Sequence, residues 1–345
     1  MESAIEKSCS ASASPAVRSK APVFVLGCPR SGTTVLYHML LSAGNFAVYR
    51  AESNVFSVLQ PRFGNLRSES NRNDLLGLWL HSRLFQVTGL DAEDIREKIM
   101  RDCHSAGDFL RIVMEETARR QSVERWADCT PDHLLYISEI KRQIPNALVV
   151  HIIRDGRDVA LSYVKQGWTY PFPWDRNQEI AVAGLFWQWI VSKGRRFGRA
   201  LGRDYYELHY EDLVEKPHET LHALGNFVGQ ELDYDRIRQV GIGSVREPNS
   251  SFASDPGGGF HPVRRWVEQM SPEQLATFEA LVGVLLQELR YPLSSSPKCK
   301  FRDLRLRWTY DAWFEARHWL KSRTALGRLS TIDRMGLAAS SEKQR

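Results

Sequence analysis

Short continuous apolar runs recur along the chain, separated by stretches in which apolar residues return every three or four positions. Residues 22–27 (PVFVLG) form such a run, closed by glycine, as a strand buried on both faces requires. The following TTVLYHMLLSAG has the periodicity of a helix and stops at Gly44. Residues 46–49, 125–128, 148–153 and 205–209 are further strand candidates, with helical patterns between them. Strands separated by helices predict βαβ units, hence an α/β fold with a central parallel sheet of about five strands flanked by helices. The most apolar run, ALVVHII, is expected at its centre.

Residues 73–121 read as helical throughout and are too long for a plain crossover between the second and third strands, so they are read as a helical insertion. Residues 1–21 are Ser- and Ala-rich and cannot bury enough apolar surface to offset the entropy of ordering, which predicts a disordered leader. Residues 249–262 (NSSFASDPGGGFHP) predict a mobile loop longer than most connections in a compact domain. A last helix is expected over 272–289. The main domain then spans 22–293, and a basic, aromatic tail covers 294–345.

With 43% hydrophobic and 25% charged residues in 345, the chain can build a sizeable core. The net charge of +5 is mild, and its basic residues are spread along the chain except for an excess near the C-terminus, so a small anion is a more natural partner than nucleic acid. Five cysteines without a close C-x-x-C pair argue against a disulfide framework or a zinc site. The opening residues lack the apolar stretch of a signal peptide, and no run approaches the ~18 apolar residues of a membrane span. These features predict a cytoplasmic protein.

The first strand leads into Gly27-Cys28-Pro29-Arg30-Ser31-Gly32-Thr33-Thr34, which has the G-x-x-x-x-G spacing of a phosphate loop. Such a loop curls its amides toward anionic oxygens at a helix N-terminus, where the helix dipole adds about half a positive charge. The fold expectation becomes a P-loop-type sheet. A nucleotide triphosphatase would carry Lys at position 33 to reach β and γ phosphates. Here the cation is Arg30, inside the loop, and nothing in the arrangement calls for a metal. The second charged cluster, His151 to Ser162 (HIIRDGRDVALS), opens a helix at the end of the most apolar strand, at the sheet edge where α/β proteins bind ligands.

Together, PRSGTT and RDGRDVALS resemble the motifs of sulfotransferases that use 3'-phosphoadenosine-5'-phosphosulfate (PAPS). The resemblance covers residues 22–293. It implies a 5'-phosphosulfate site at Arg30, Ser31, Gly32, Thr33 and Thr34, and a 3'-phosphate site at Arg154 and Ser162. It gives Asp158 a structural role, places Tyr210 near the nucleotide base, and lets Arg264 and Arg265 close over the phosphates. Many relatives carry Lys before Thr-Pro after the third strand. This chain has Cys129-Thr130-Pro131, so Arg264 or Arg265 is the candidate replacement.

The resemblance implies transfer of the sulfuryl group of PAPS to an acceptor hydroxyl by in-line displacement, leaving 3'-phosphoadenosine-5'-phosphate (PAP). By analogy with phosphoryl transfer, the protein mostly positions groups and stabilises charge. Arg30 is the catalytic cation, and Glu52, just after the second predicted strand, is the expected general base, with His133 and His104 as rivals. A glycan or glycolipid is the favoured acceptor, because a Glu-type base and the aromatic loop Trp168, Tyr170, Phe172, Trp174 suit it. Peptide tyrosine and a small metabolite are alternatives, as are, in other classes, a P-loop kinase or an inactive nucleotide-binding protein. The aromatic loop also fits simple coverage of the core. The tail mixes Arg and Lys with Trp308, Trp313, Phe314 and Trp319, a composition that suits either an anionic membrane surface or a helix packed on the domain.

Overall fold

The computed structural model describes residues 18–247, 262–294 and 300–324. Residues 1–17, nearly all of the 249–262 loop, and residues 295–299 and 325–345 of the tail lie outside the described residues. Four strands form one wholly parallel sheet: β1 (Val23–Leu26), β2 (Ala127–Asp128), β3 (Leu148–Ile153) and β4 (Tyr205–His209), in the spatial order β2-β1-β3-β4. β3, the most apolar strand, is internal beside β1. Alternating residues of these two strands feed two cores. Phe24, Leu26, Val149 and Ile153 face one side, and Val23, Val25, Val150 and Ile152 the other. All are fully buried, and each such side chain is worth roughly 1.5–3 kcal/mol relative to exposure.

The expected strand at 46–49 is reduced to a single bridge between Phe46 and Arg125. The Ala47 N–H still donates to the Arg125 carbonyl at 2.7 Å. At Val48, however, the Gln121 side chain takes the place of a neighbouring strand, accepting from the Val48 N–H at 2.7 Å and donating to its carbonyl at 3.1 Å. An amide side chain satisfies one residue only, so the ladder goes no further.

Nine helices of ten or more residues are present among the described residues. α1 (Thr33–Ser42) follows β1. The insertion holds α2 (Glu69–Trp79), α3 (Ala92–Asp102) and α4 (Ala106–Arg120). α5 (Gly156–Lys165) follows β3, α6 (Glu179–Arg199) and α7 (Pro217–Val228) flank β4, and α8 (Pro272–Glu288) and α9 (Phe301–Arg323) end the described chain. α6 is the central pillar, packed against α5, α8 and α9. Trp187 and Trp189 are both buried there, with indole N–H groups donating to the Arg154 carbonyl at 3.1 Å and to Glu315 Oε1 at 2.9 Å.

Residues 18–21, read as the end of a disordered leader, are folded. Arg18 donates to the carbonyls of Phe227 and Arg203, both at 2.8 Å, and buried Arg125 donates to the Ala21 carbonyl at 2.6 Å. The tail helix α9 turns Leu306, Tyr310 and Phe314 into the core and leaves Phe301, Trp308 and Trp319 exposed. No helix among the described residues is long and apolar enough to cross a membrane.

Candidate active site

Parallel strands put their carboxyl ends along one edge, and Cys129, Gly27, Arg154 and Tyr210 directly follow β2, β1, β3 and β4. The edge therefore reads in space as a Cys-Thr segment, the glycine loop, an arginine and a tyrosine. Ligands of open α/β sheets bind at this edge.

In the loop, the two glycines answer to different constraints. A Cβ on Gly27 would stand 2.5 Å from the Ile152 carbonyl oxygen, so close strand packing requires its absence. Gly32 has φ of 93° and lies under Tyr210, whose ring a Cβ would approach to 2.3 Å. Gly32 also caps α1, with no side-chain cap on that helix, which leaves the first amides of α1 to attract an anion. Arg30, between the glycines, is itself left-handed at φ 71°. A non-glycine residue held there stores on the order of 1 kcal/mol of strain, a feature that clusters at functional sites.

The two predicted anion subsites are one cluster. Arg30 Nε donates to Ser162 Oγ at 2.9 Å, and an Arg154 amino group donates to the Arg30 carbonyl at 2.9 Å. Arg154 also donates to the Pro262 carbonyl at 2.7 Å and stacks 4.9 Å from the centre of the Tyr210 ring. Its Nε is buried without a hydrogen-bond partner among the described residues, as is Ser31 Oγ. Burial, and then the neighbouring Arg154 charge, push the Arg30 guanidinium below its ordinary value. Thr33 is buried and Thr34 half-buried at the start of α1.

Buried Asp158 stands 3.8 Å from Arg154, and it is occupied otherwise, accepting from the N–H groups of Arg264 at 2.8 Å and Trp266 at 3.0 Å. It thereby pins the segment after residue 262 over α5. Arg265 lies close enough to Tyr210 to act on it electrostatically. The Arg264 guanidinium turns outward, 73% exposed and 3.9 Å from Glu215, so only its backbone joins the cluster.

The other end of the edge is acidic. Glu52 keeps an accessible surface, yet the protein packed around it, followed by the charges of Asp132 and Asp128, pushes its carboxyl up to about 7. The chain after it is clamped to the β2 segment, with the Asn54 N–H donating to Thr130 Oγ1 at 3.3 Å and the Phe56 N–H to His133 Nε2 at 3.1 Å. His133 is wholly buried, and its other ring nitrogen pairs with Asp128 at 2.9 Å. With both nitrogens engaged it is a positioning group, which removes it as a rival base. His104 is exposed between α3 and α4, in the insertion. Cys129 is buried between Thr33 and Glu52, and burial first, then Glu52 and Asp128, hold its thiol well above the ordinary range. It is neutral and brings no charge to the place where relatives have a lysine.

Beyond this edge opens a cavity of about 600 Å³. Asp132, Tyr163 and Trp168 belong to its lining. Two of them reach the loop: Tyr163 acts on the Cys28 thiol, and the Arg30 guanidinium lies 5.7 Å from the Trp168 ring centre. Sequence reading missed Asp132, although it directly follows the Thr130-Pro131 pair, and missed the cavity wall contributed by α9.

The family model described as the sulfotransferase family matches residues 22–234, more than half of the chain. The chain belongs to the sulfotransferase family. An uncharacterized protein of Aquifex aeolicus is 26% identical over 220 residues, 61% of this chain and 25% of that protein, so the chain spans about a quarter of the length of this curated relative. Among solved structures, the sulfotransferase domain from the Synechococcus PCC 7002 olefin synthase is similar at 17% identity and a TM-score of 0.46, covering 84% of this chain and 94% of that one. Sulfotransferase STF9 from Mycobacterium avium is similar at 14% identity and a TM-score of 0.43, covering 79% and 78%.

Proposed function

We propose that this sulfotransferase takes its sulfuryl group from PAPS and delivers it to an acceptor hydroxyl, with Glu52 as the base. The observation that carries this reading is the excess positive charge around the loop. Arg30 and Arg154 are joined through one backbone carbonyl, Arg265 is nearby, and Asp158, 3.8 Å from Arg154, offsets only one of these charges. Buried charges of one sign call for a counter-charge. A dianionic nucleotide end supplies it, and the Tyr210 ring beside Arg154 suits a base.

Phosphosulfate oxygens would meet Arg30, the amides at the start of α1 and the Thr33 and Thr34 hydroxyls. The 3'-phosphate would meet Arg154 and Ser162. In the transfer step the acceptor oxygen bonds to sulfur as the bond from sulfur to the bridging phosphate oxygen breaks. The electron pair leaves with the 5'-phosphate of PAP, where Arg30 and the helix amides stabilise it. The acceptor proton passes to the Glu52 carboxylate. A glycolipid-type acceptor fits the aromatic cavity next to this point.

Titration calorimetry with PAP and with adenosine 5'-phosphosulfate, which lacks the 3'-phosphate, tests the donor assignment. PAP should bind at least tenfold tighter, and Arg154→Ala should abolish the difference. Equal affinities in the wild type would refute it.

A further inference from the structure

The cavity beside the transfer site is not uniformly apolar. Val182, Phe186 and Trp189 of α6 and Phe314 of α9 form one continuous apolar wall, the Phe314 ring centre lying 5.4 Å from that of Phe186 and 5.6 Å from that of Trp189. Asp132 also lines the cavity, and α9 adds Arg317, His318 and Lys321. α9 is held in place there by contacts independent of any ligand. The Tyr136 and Ser322 hydroxyls are 3.1 Å apart, the Tyr136 and His318 rings meet edge-on at 5.4 Å, and Glu315 accepts from Trp189 and Lys193. Glu315 is thus neutralised by Lys193, at 2.6 Å, and is not the partner of the α9 cations. Neither Arg317 nor Lys321 makes a hydrogen bond or ion pair among the described residues. Burial first, and then the Lys193 charge, lower the His318 pKa, with Lys321 adding to the effect and Glu315 and Asp132 opposing it. The cavity lining therefore combines a carboxylate near Glu52, an apolar wall and two cations of α9.

Resting on the PAPS reading above, we infer that the acceptor is an amphipathic alcohol: its hydroxyl reaches Asp132 and Glu52, its apolar body lies against the wall that α6 and α9 form together, and an anionic group sits against Arg317 and Lys321. The tail helix is then a specificity element of the enzyme. A neutral, wholly polar sugar would leave the apolar wall unmatched.

Quenching of tryptophan fluorescence in the full chain saturated with PAP measures acceptor binding without turnover, since Trp168, Trp189 and Trp313 line the cavity. The probes are ω-hydroxydodecanoate, its methyl ester and lactose. The carboxylate should bind roughly tenfold tighter than the ester, the value of one charge-assisted contact. The double variant Arg317→Ala, Lys321→Ala should remove that preference while leaving ester binding intact. Phe186→Ala should weaken both lipid probes. Equal binding of carboxylate and ester, a preference that survives the double variant, tighter binding of lactose, or no binding of either lipid probe overturns the inference. PAP affinity, measured on the same samples, reports separately on the donor assignment.

Discussion

Arg30 and Ser162, 132 residues apart in sequence, are joined by a 2.9 Å hydrogen bond that ties the phosphate loop to the second turn of α5. The bond spans the two segments of the proposed anion site, where a bound PAPS, on the reading proposed above, would exchange it for contacts to phosphate oxygens. Ser162→Ala removes one neutral hydroxyl and is expected to weaken PAP binding about three- to tenfold. Arg30→Ala removes a charge-assisted donor, a loss of roughly 1.5–3 kcal/mol, and should cost more than tenfold. Calorimetry on both single variants and the double variant checks this, the double being less than additive because the two groups touch.

Gly32 is held between a left-handed backbone and the Tyr210 ring. Gly32→Ala should destabilise the fold by about 1–3 kcal/mol through overpacking and strain, measured as a lowered Tm. Adding Tyr210→Ala relieves the clash but leaves the left-handed φ, so Tm should recover only in part and PAP affinity should stay low.

Asp158 fastens the backbone of Arg264 and Trp266 over α5. Asp158→Ala should leave that segment open to limited proteolysis and raise the PAP dissociation rate. An unchanged cleavage pattern would show that the segment is held by other contacts.

Glu52 and Glu211 are both carboxyls raised to about 7, chiefly by burial. A raised folded-state value means that the folded protein prefers the protonated form. Its contribution to stability is complete below the ordinary value of 4.5 and is lost as pH climbs through 7. Glu52→Gln should therefore melt higher than the wild type above pH 7, with the gain vanishing toward pH 4.5. Activity runs the opposite way, because the base must be ionised. The wild-type kcat/KM should rise with pH and level off above about 7.

Much of this architecture is written locally in the chain. Leu148–Ile153 appears as a strand at its expected limits because it is a run that only a buried strand accommodates, and Tyr205–His209, half-buried beside it, keeps its expected limits too. The loop glycines and the charged cluster after β3 are likewise local signals. What the sequence conceals depends on contacts between distant residues. Residues 46–49 look like a strand, but Gln121 intercepts Val48. His133 looks like a base until Asp128 and the Phe56 N–H are seen to occupy both its nitrogens. Arg264 and Arg265 are neighbours of the same type, yet the backbone sends one guanidinium to Glu215 and leaves the other beside Tyr210. The aromatic residues of α9 suggest a helix packed on the domain as one of two readings, but that this helix lines a cavity emerges only when Tyr310 and Phe314 pack against the domain.

Transfer of radiolabelled sulfate from PAPS into fractionated host extract, with Glu52→Gln and Arg154→Ala run in parallel, tests the central claim most directly. The wild type should label a fraction, Arg154→Ala should lose labelling together with PAP affinity, and Glu52→Gln should bind PAP normally while its rate falls by about 10²–10⁴. Full labelling by Glu52→Gln would contradict its role as base, and binding of PAP by the wild type with no label entering any fraction would contradict the assignment of sulfuryl transfer.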